Sequence, residues 1–232
     1  MYRERLDDKT LLSFYDGAVF FGDSIMQQFA RFRRQKNETD PEFLNNFKII
    51  SASGISLFVG TRRNIIPNTP VCFTYNGMDQ TIYDIAKELD APRIFILLGQ
   101  NDEIGNKVEK GIKMVEFAIT ARNDLIPDTE MYFLSCTPVS KGFCEEIGSP
   151  EYQKNLDQFN ARMKETCEKY DGVYYVEIAE PLKDEDGYLN AAYSTDQFYH
   201  INEDAYILLI GNLCDYAQEQ YNAGRWIPAG LN

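Results

Sequence analysis

The chain has 232 residues, 44% hydrophobic and 25% charged, with a formal net charge of -13 at neutral pH. This is the usage of a globular protein with a sizeable core, and one domain over residues 1–232 is expected, since no repeat, low-complexity tract or Pro/Gly/Ser-rich linker divides it. The negative charge repels phosphate backbones and anionic lipid, and no apolar run approaches the roughly 20 residues that span a bilayer, so neither nucleic acid nor membrane is expected as a partner.

The opening Met1-Tyr2-Arg3-Glu4-Arg5 leads to Asp7 and Asp8 rather than to an apolar signal core, from which a cytoplasmic location is expected. Apolar runs, most without alternation, follow at Ala18 to Phe21, Phe47 to Ala52, Ile94 to Leu98, Met131 to Ser135 and Val173 to Ile178, the pattern of strands buried on both faces. Between them apolar residues recur three or four apart, predicting amphipathic helices: Ile25, Phe29 and Phe32; Met78, Ile82, Ile85 and Leu89; Val108, Ile112, Val115 and Ile119. A fourth run, Tyr152, Leu156, Phe159, Met163 and Cys167, follows Ser149 as a cap and Pro150 at the first helical position. The last helix is predicted from Asn202 to Tyr221, with Glu203 and Asp204 in the first turn, where the helix dipole favours acids.

Five strands alternating with helices imply an α/β protein with a parallel sheet covered on both faces, and such sheets bind ligands beyond the carboxyl ends of their strands. The unusual residues fall there: Gly22-Asp23-Ser24 after the first strand, Ser53-Gly54 after the second, and Gly99-Gln100-Asn101-Asp102 after the third. A serine nucleophile needs a neighbouring base, imidazole is the usual one near neutral pH, and the chain has a single histidine, His200.

Metal and cofactor chemistry find little support in the residues. The five cysteines, Cys72, Cys136, Cys144, Cys167 and Cys214, include no C-x-x-C pair, which points to reduced, mostly buried thiols. No H-E-x-x-H, phosphate-cradling loop or G-x-G-x-x-G is present, and Met26 stands where a G-x-S-x-G elbow would carry its second glycine. No metal and no cofactor are expected.

The order of these residues resembles the SGNH, or GDSL, hydrolases, whose blocks are named for a serine, a glycine, an asparagine and a histidine. The resemblance runs from residue 17 to residue 206: Val19-Phe20-Phe21-Gly22-Asp23-Ser24-Ile25, then Ile50-Ser51-Ala52-Ser53-Gly54, then Leu97-Leu98-Gly99-Gln100-Asn101-Asp102, then His200 on a late loop. The resemblance implies Ser24 as nucleophile, His200 as base, and an oxyanion held by the Ser24 N–H, the Gly54 N–H and the Asn101 side-chain amide. The last block departs from the family pattern, which places an aspartate three residues before the histidine; here Gln197 holds that position and Asp196 lies one further away. Asp196 is the expected orienting acid, with Asp204 or a backbone carbonyl as alternatives. The fold implied is a three-layer α/β/α sandwich with a five-stranded sheet in flavodoxin-like order.

Taken singly, each residue has an ordinary explanation: a capped turn at Gly22-Asp23-Ser24, a turn glycine at Gly54, an Asx turn at Asn101-Asp102, a packed histidine at His200. Asp23 and Asp102 are read as structural, and Arg62 and Arg63 as a solvated pair. It is the conjunction of four blocks in family order, each at a strand end or on the loop before the last helix, that favours chemistry. The resemblance implies hydrolysis of acyl, first of all acetyl, esters on small molecules or carbohydrates. An acyltransferase with the same triad and a non-catalytic carbohydrate-binding protein are the rival readings. Segments 56–77, 100–107 and 137–150 are expected to line the site mouth, with Phe58, Tyr75 and Phe143 as stacking candidates.

Overall fold

In the computed structural model, which describes residues 4–65 and 73–231, every predicted strand and helix is present. In chain order the elements are α1 (Asp8–Leu12), β1 (Val19–Gly22), α2 (Ser24–Asn37), β2 (Lys48–Ser51), α3 (Leu57–Gly60), β3 (Phe73–Tyr75), β4 (Met78–Gln80), α4 (Ile82–Glu88), β5 (Arg93–Leu97), α5 (Val108–Leu125), β6 (Glu130–Leu134), α6 (Lys141–Glu146), α7 (Tyr152–Cys167), β7 (Val173–Val176) and α8 (Glu203–Asn222).

The sheet order is β2-β1-β5-β6-β7 with every pairing parallel, which is the flavodoxin-like 2-1-3-4-5 order when only these strands are counted. β1, β5 and β6 are buried almost throughout, which is why their sequences are apolar without alternation; β2 at one edge is partly exposed. Successive side chains still divide between the faces. Val19, Phe21, Ile94, Ile96, Met131 and Phe133 join the core under α4, α5 and α7, while Phe20, Phe95, Tyr132 and Leu134 join the core under α2 and α8. On the second face, rings at neighbouring register positions stack across the sheet: Phe20 on Phe95 at 4.5 Å, Phe95 on Tyr132 at 4.5 Å, and Tyr132 on Tyr174 at 4.8 Å between centroids. Trp226 packs edge-on against Phe14 within this same core.

Three sequence expectations are corrected. Met78 does not begin a helix: it lies on β4, 60% exposed, in an antiparallel hairpin with β3. The turn is Asn76-Gly77 with both residues at positive φ (50° and 75°), the conformation that favours this dipeptide in two-residue hairpins; α4 starts only after Thr81, whose hydroxyl accepts the Asp84 N–H. Ser149 does not cap α7. Its carbonyl accepts the Tyr152 N–H at 3.0 Å and its hydroxyl donates to Asn106, so the turn 149–151 precedes the helix and Glu151 sits at the N-cap without a side-chain bond. Arg62 and Arg63 are not a solvated pair, since Arg62 is buried and Arg63 binds Asp124 at 2.7 Å.

Four of the five cysteines are buried free thiols, Cys136, Cys144, Cys167 and Cys214; Cys72 lies outside the described residues. Among the described residues no helix is long and apolar enough to cross a membrane.

Candidate active site

Gly22 pairs with Ser51 on one side and with Leu97 on the other, so β1, β2 and β5 end level and their following loops share one edge of the sheet. A Cβ at Gly22 would lie 2.5 Å from the Cβ of Met26 and 3.0 Å from the Leu97 carbonyl oxygen, so only glycine lets α2 turn off β1 this closely. Asp23 caps α2 by accepting the Ile25 N–H at 3.0 Å, and Ser24 is the first helical residue. At that position the backbone N–H has no acceptor within the helix.

Ser24 Oγ lies 2.9 Å from His200 Nε2, across 176 residues of sequence. His200 Nδ1 lies 2.5 Å from Asp196 Oδ2. An Nδ1–H donated to the carboxylate leaves Nε2 unprotonated and able to receive the serine proton. The residue inserted between Asp196 and His200 is accommodated by Gln197 in the left-handed region (φ 62°), which tightens the loop enough for Asp196 Oδ1 to accept the N–H groups of Phe198, Tyr199 and His200 at 2.8, 3.1 and 3.2 Å. Burial pushes the Asp196 carboxyl up, but the Phe198 N–H, the imidazole and the His200 N–H outweigh it and hold the group below the usual carboxylate range, so it stays ionised. The ring nitrogen facing an acid thus faces Asp196; Asp204 sits in the first turn of α8 and makes no hydrogen bond to His200.

The loop is clamped from two sides. Thr195 N–H donates to the His200 carbonyl at 2.9 Å, closing the loop on itself. Ser140 then holds it against α6: its N–H donates to the Phe198 carbonyl at 2.7 Å and its hydroxyl to the Gln197 carbonyl at 2.5 Å. The Tyr206 hydroxyl donates to the Ile25 carbonyl at 2.8 Å, fastening the helix that follows His200 to the helix that begins at Ser24. Beside the histidine, Tyr199 lies 4.5 Å from its ring, and Phe143 packs edge-on against Tyr152, Phe198 and Tyr199, so Phe143 belongs to the wall under the loop. Phe58, 54% exposed, sits on α3 next to the third loop.

Gly54 lies exposed in the turn after β2 at φ 73°, and the described hydrogen bonds of this turn, Ile55 N–H to the Ala52 carbonyl and Ala52 N–H to the Gly22 carbonyl, leave the Gly54 N–H unused. Asn101 arrives differently from the expectation of a free donor. Its amide nitrogen donates to Asp23 Oδ2 at 3.0 Å and to the Ile55 carbonyl at 3.1 Å, so both of its hydrogens have acceptors within the protein. Asp102 binds the N–H groups of Leu57 and Phe58 at the start of α3. The third loop thus ties the first to the second, and both acids read as structural act as the hinges of that tie.

Asp23 is the residue whose burial the sequence hid. It is 1% exposed, and burial pushes its carboxyl up to about 6, against the pull of the Ile25 N–H and of His200. The only sequence signal is its place beside the serine, which a capped turn explains equally well. Among the described residues no group of three or more His, Cys, Asp or Glu side chains is placed to hold a metal ion. A cavity of about 630 Å³ is lined by residues such as Lys9, Asp16 and Asn46 that precede β1 and β2, at the opposite end of these strands from Ser24.

The parallel sheet in this order between two helical layers is the three-layer α/β/α fold of SGNH/GDSL hydrolases, and solved structures with this fold superpose on this chain. A GDSL-like lipase from Bacteroides thetaiotaomicron matches with a TM-score of 0.62 at 16% identity, covering 88% of each chain. A putative platelet activating factor protein from Streptococcus pneumonia matches at 0.59 and 20% identity, over 90% of this chain and 92% of that one. A family 3 carbohydrate esterase from Clostridium thermocellum matches at 0.56 and 13% identity, over 89% and 97%. No family model matches the sequence, and no curated protein does.

Proposed function

We propose that the protein is a serine esterase that removes acyl groups, acetyl first among them, from small-molecule or carbohydrate esters. The observation that carries this reading is the continuous line from Ser24 Oγ through the His200 ring to Asp196, at 2.9 and 2.5 Å. His200 Nε2 takes the serine proton as Oγ attacks the ester carbonyl carbon, and Asp196 stabilises the imidazolium that forms. The Ser24 and Gly54 N–H groups receive the developing oxyanion. Asn101 contributes a third donor by turning one N–H from the Ile55 carbonyl, and each such donor is worth about 10²–10³ in rate. The imidazolium gives its proton to the departing alkoxide as the ester C–O bond breaks, leaving the acyl group on Ser24. Water, activated by the same nitrogen, then attacks the acyl carbon, releases the carboxylic acid and restores the serine.

The esterase names of the matched structures favour an ester substrate, and the carbohydrate esterase among them favours a sugar as the alcohol. The rival of a binding protein whose histidine is uncoupled from its serine expects no contact between the two, and the 2.9 Å bond speaks against it. The test is turnover of p-nitrophenyl acetate by wild type, Ser24→Ala and His200→Ala, each checked for folding by circular dichroism. Turnover in wild type that is lost in both folded variants is the expected result; equal rates in all three, or none in wild type with or without an alcohol acceptor, overturns the proposal.

A further inference from the structure

A groove of about 440 Å³ runs down the free edge of the sheet between β2, α2 and the β3–β4 hairpin. Its lining includes Gln27, Arg33, Arg34, Lys48, Ser51 and Tyr75, and no carboxylate. In a chain with 36 acidic residues against 23 basic ones, three cations and no acid lining one groove is a local reversal of sign. None of the three forms an ion pair among the described residues. Arg33 gives its Nη1 to the carbonyls of Leu44 and Phe47 and buries its Nε without a partner, so its charge too is uncompensated by any acid. The one carboxylate bonded to a lining residue is Asp79, which takes the Thr74 hydroxyl at 3.2 Å and does not itself line the groove.

The edge strand adds a second recognition element. Lys48 and Ala52 direct their N–H groups to β1, bonding to the carbonyls of Ala18 and Gly22 at 2.9 and 3.1 Å. Alternation along the strand therefore turns Ile49 and Ser51 the other way, away from β1 and towards the groove, and among the described residues no strand pairs with them there. Cations, backbone donors, backbone acceptors and the Ser51 and Tyr75 hydroxyls together suit a ligand that is both anionic and rich in hydroxyls.

One end of the groove lies about one helical turn from the candidate active site. Ser51 precedes the turn that holds Gly54, and Gln27 lies one helical turn after Ser24. At 1.5 Å per residue, Arg34 stands about 15 Å from Ser24 along α2. We infer that this groove binds the anionic part of an acidic carbohydrate chain, carrying carboxylate or sulfate groups about 10–15 Å from the ester presented to Ser24. The inference rests on the esterase reading for its geometry, and names the substrate class that the reading leaves open.

The test compares O-acetylated oligogalacturonate with the same oligomer after methyl esterification, which removes the charge and keeps the chain and the acetyl group. Wild type is expected to show a kcat/KM about ten-fold higher on the charged oligomer at low salt, the ratio falling towards one at high ionic strength. This preference runs against the protein's overall field, so only a local site produces it. In Arg34→Ala/Lys48→Ala, with folding checked by thermal melt, the ratio is expected to drop about five-fold or more. A ratio of one or below in wild type, or a ratio unchanged in the double variant, overturns the inference. Calorimetric titration of Ser24→Ala with the two oligomers lacking acetyl groups decides the groove independently of turnover: equal affinity for charged and neutral chains sinks it, even if p-nitrophenyl acetate is cleaved.

Discussion

Replacing Asp23 by Asn tests what the buried acid beside the serine costs the fold. Its carboxyl is 1% exposed and raised from 3.8 to about 6, with burial as the largest cause. A group whose folded value lies above its unfolded value binds its proton more tightly in the native state, so stability is greatest below 3.8 and declines as pH rises through 6. Over the whole window this difference corresponds to about 3 kcal/mol, and about half of that falls between pH 5 and pH 8. Asn keeps an oxygen for the Ile25 N–H but cannot ionise. Urea unfolding of wild type and Asp23→Asn at pH 5, 6, 7 and 8 is expected to show wild type losing about 1–2 kcal/mol more than the variant across that range. A difference constant to within about 0.5 kcal/mol would refute the argument, and a wild type that gains on the variant as pH rises would mean that the hydrogen bonds from Ile25 and Asn101 outweigh desolvation.

Asn101→Ala removes the donor to both Asp23 Oδ2 and the Ile55 carbonyl, so it is expected to cost about 1–3 kcal/mol of stability besides lowering turnover by about 10²–10³; denaturant melts alongside kinetics separate the two, and a loss of rate with unchanged stability would contradict the resting bonds described for the amide. Gln197→Gly relieves a left-handed residue that costs about 1–2 kcal/mol, less the roughly 0.5–1 kcal/mol of added chain entropy, so unfolding should show a gain of up to about 1.5 kcal/mol; a loss of about 1 kcal/mol or more would mean the Gln197 side chain is itself needed. Phe95→Ala opens the middle of the ring stack between Phe20 and Tyr132 and should cost about 3–5 kcal/mol by urea titration, with less than 2 kcal/mol indicating that the neighbouring rings close the gap.

The sequence by itself determined the architecture. Central strands buried on both faces must be apolar throughout, and helices that cover a sheet must repeat every three or four residues, so both patterns are written locally. It missed the β3–β4 hairpin although Asn76-Gly77 announced it, because Met78 continued a helical spacing by coincidence. Ser24 and His200 were legible as chemical types at strand and loop ends, and their role was legible through the order of the blocks. That they meet was not, since the bond spans 176 residues and depends on the register that levels the ends of β1, β2 and β5. Only the tertiary structure decided how one extra residue still lets Asp196 reach the imidazole, through a left-handed Gln197 and a clamp from Ser140 that no local pattern encodes. The same holds for Asp23 and Asn101: whether an acid is buried and whether an amide is free depend on which loops pack together, and three separate loops converge on that pair.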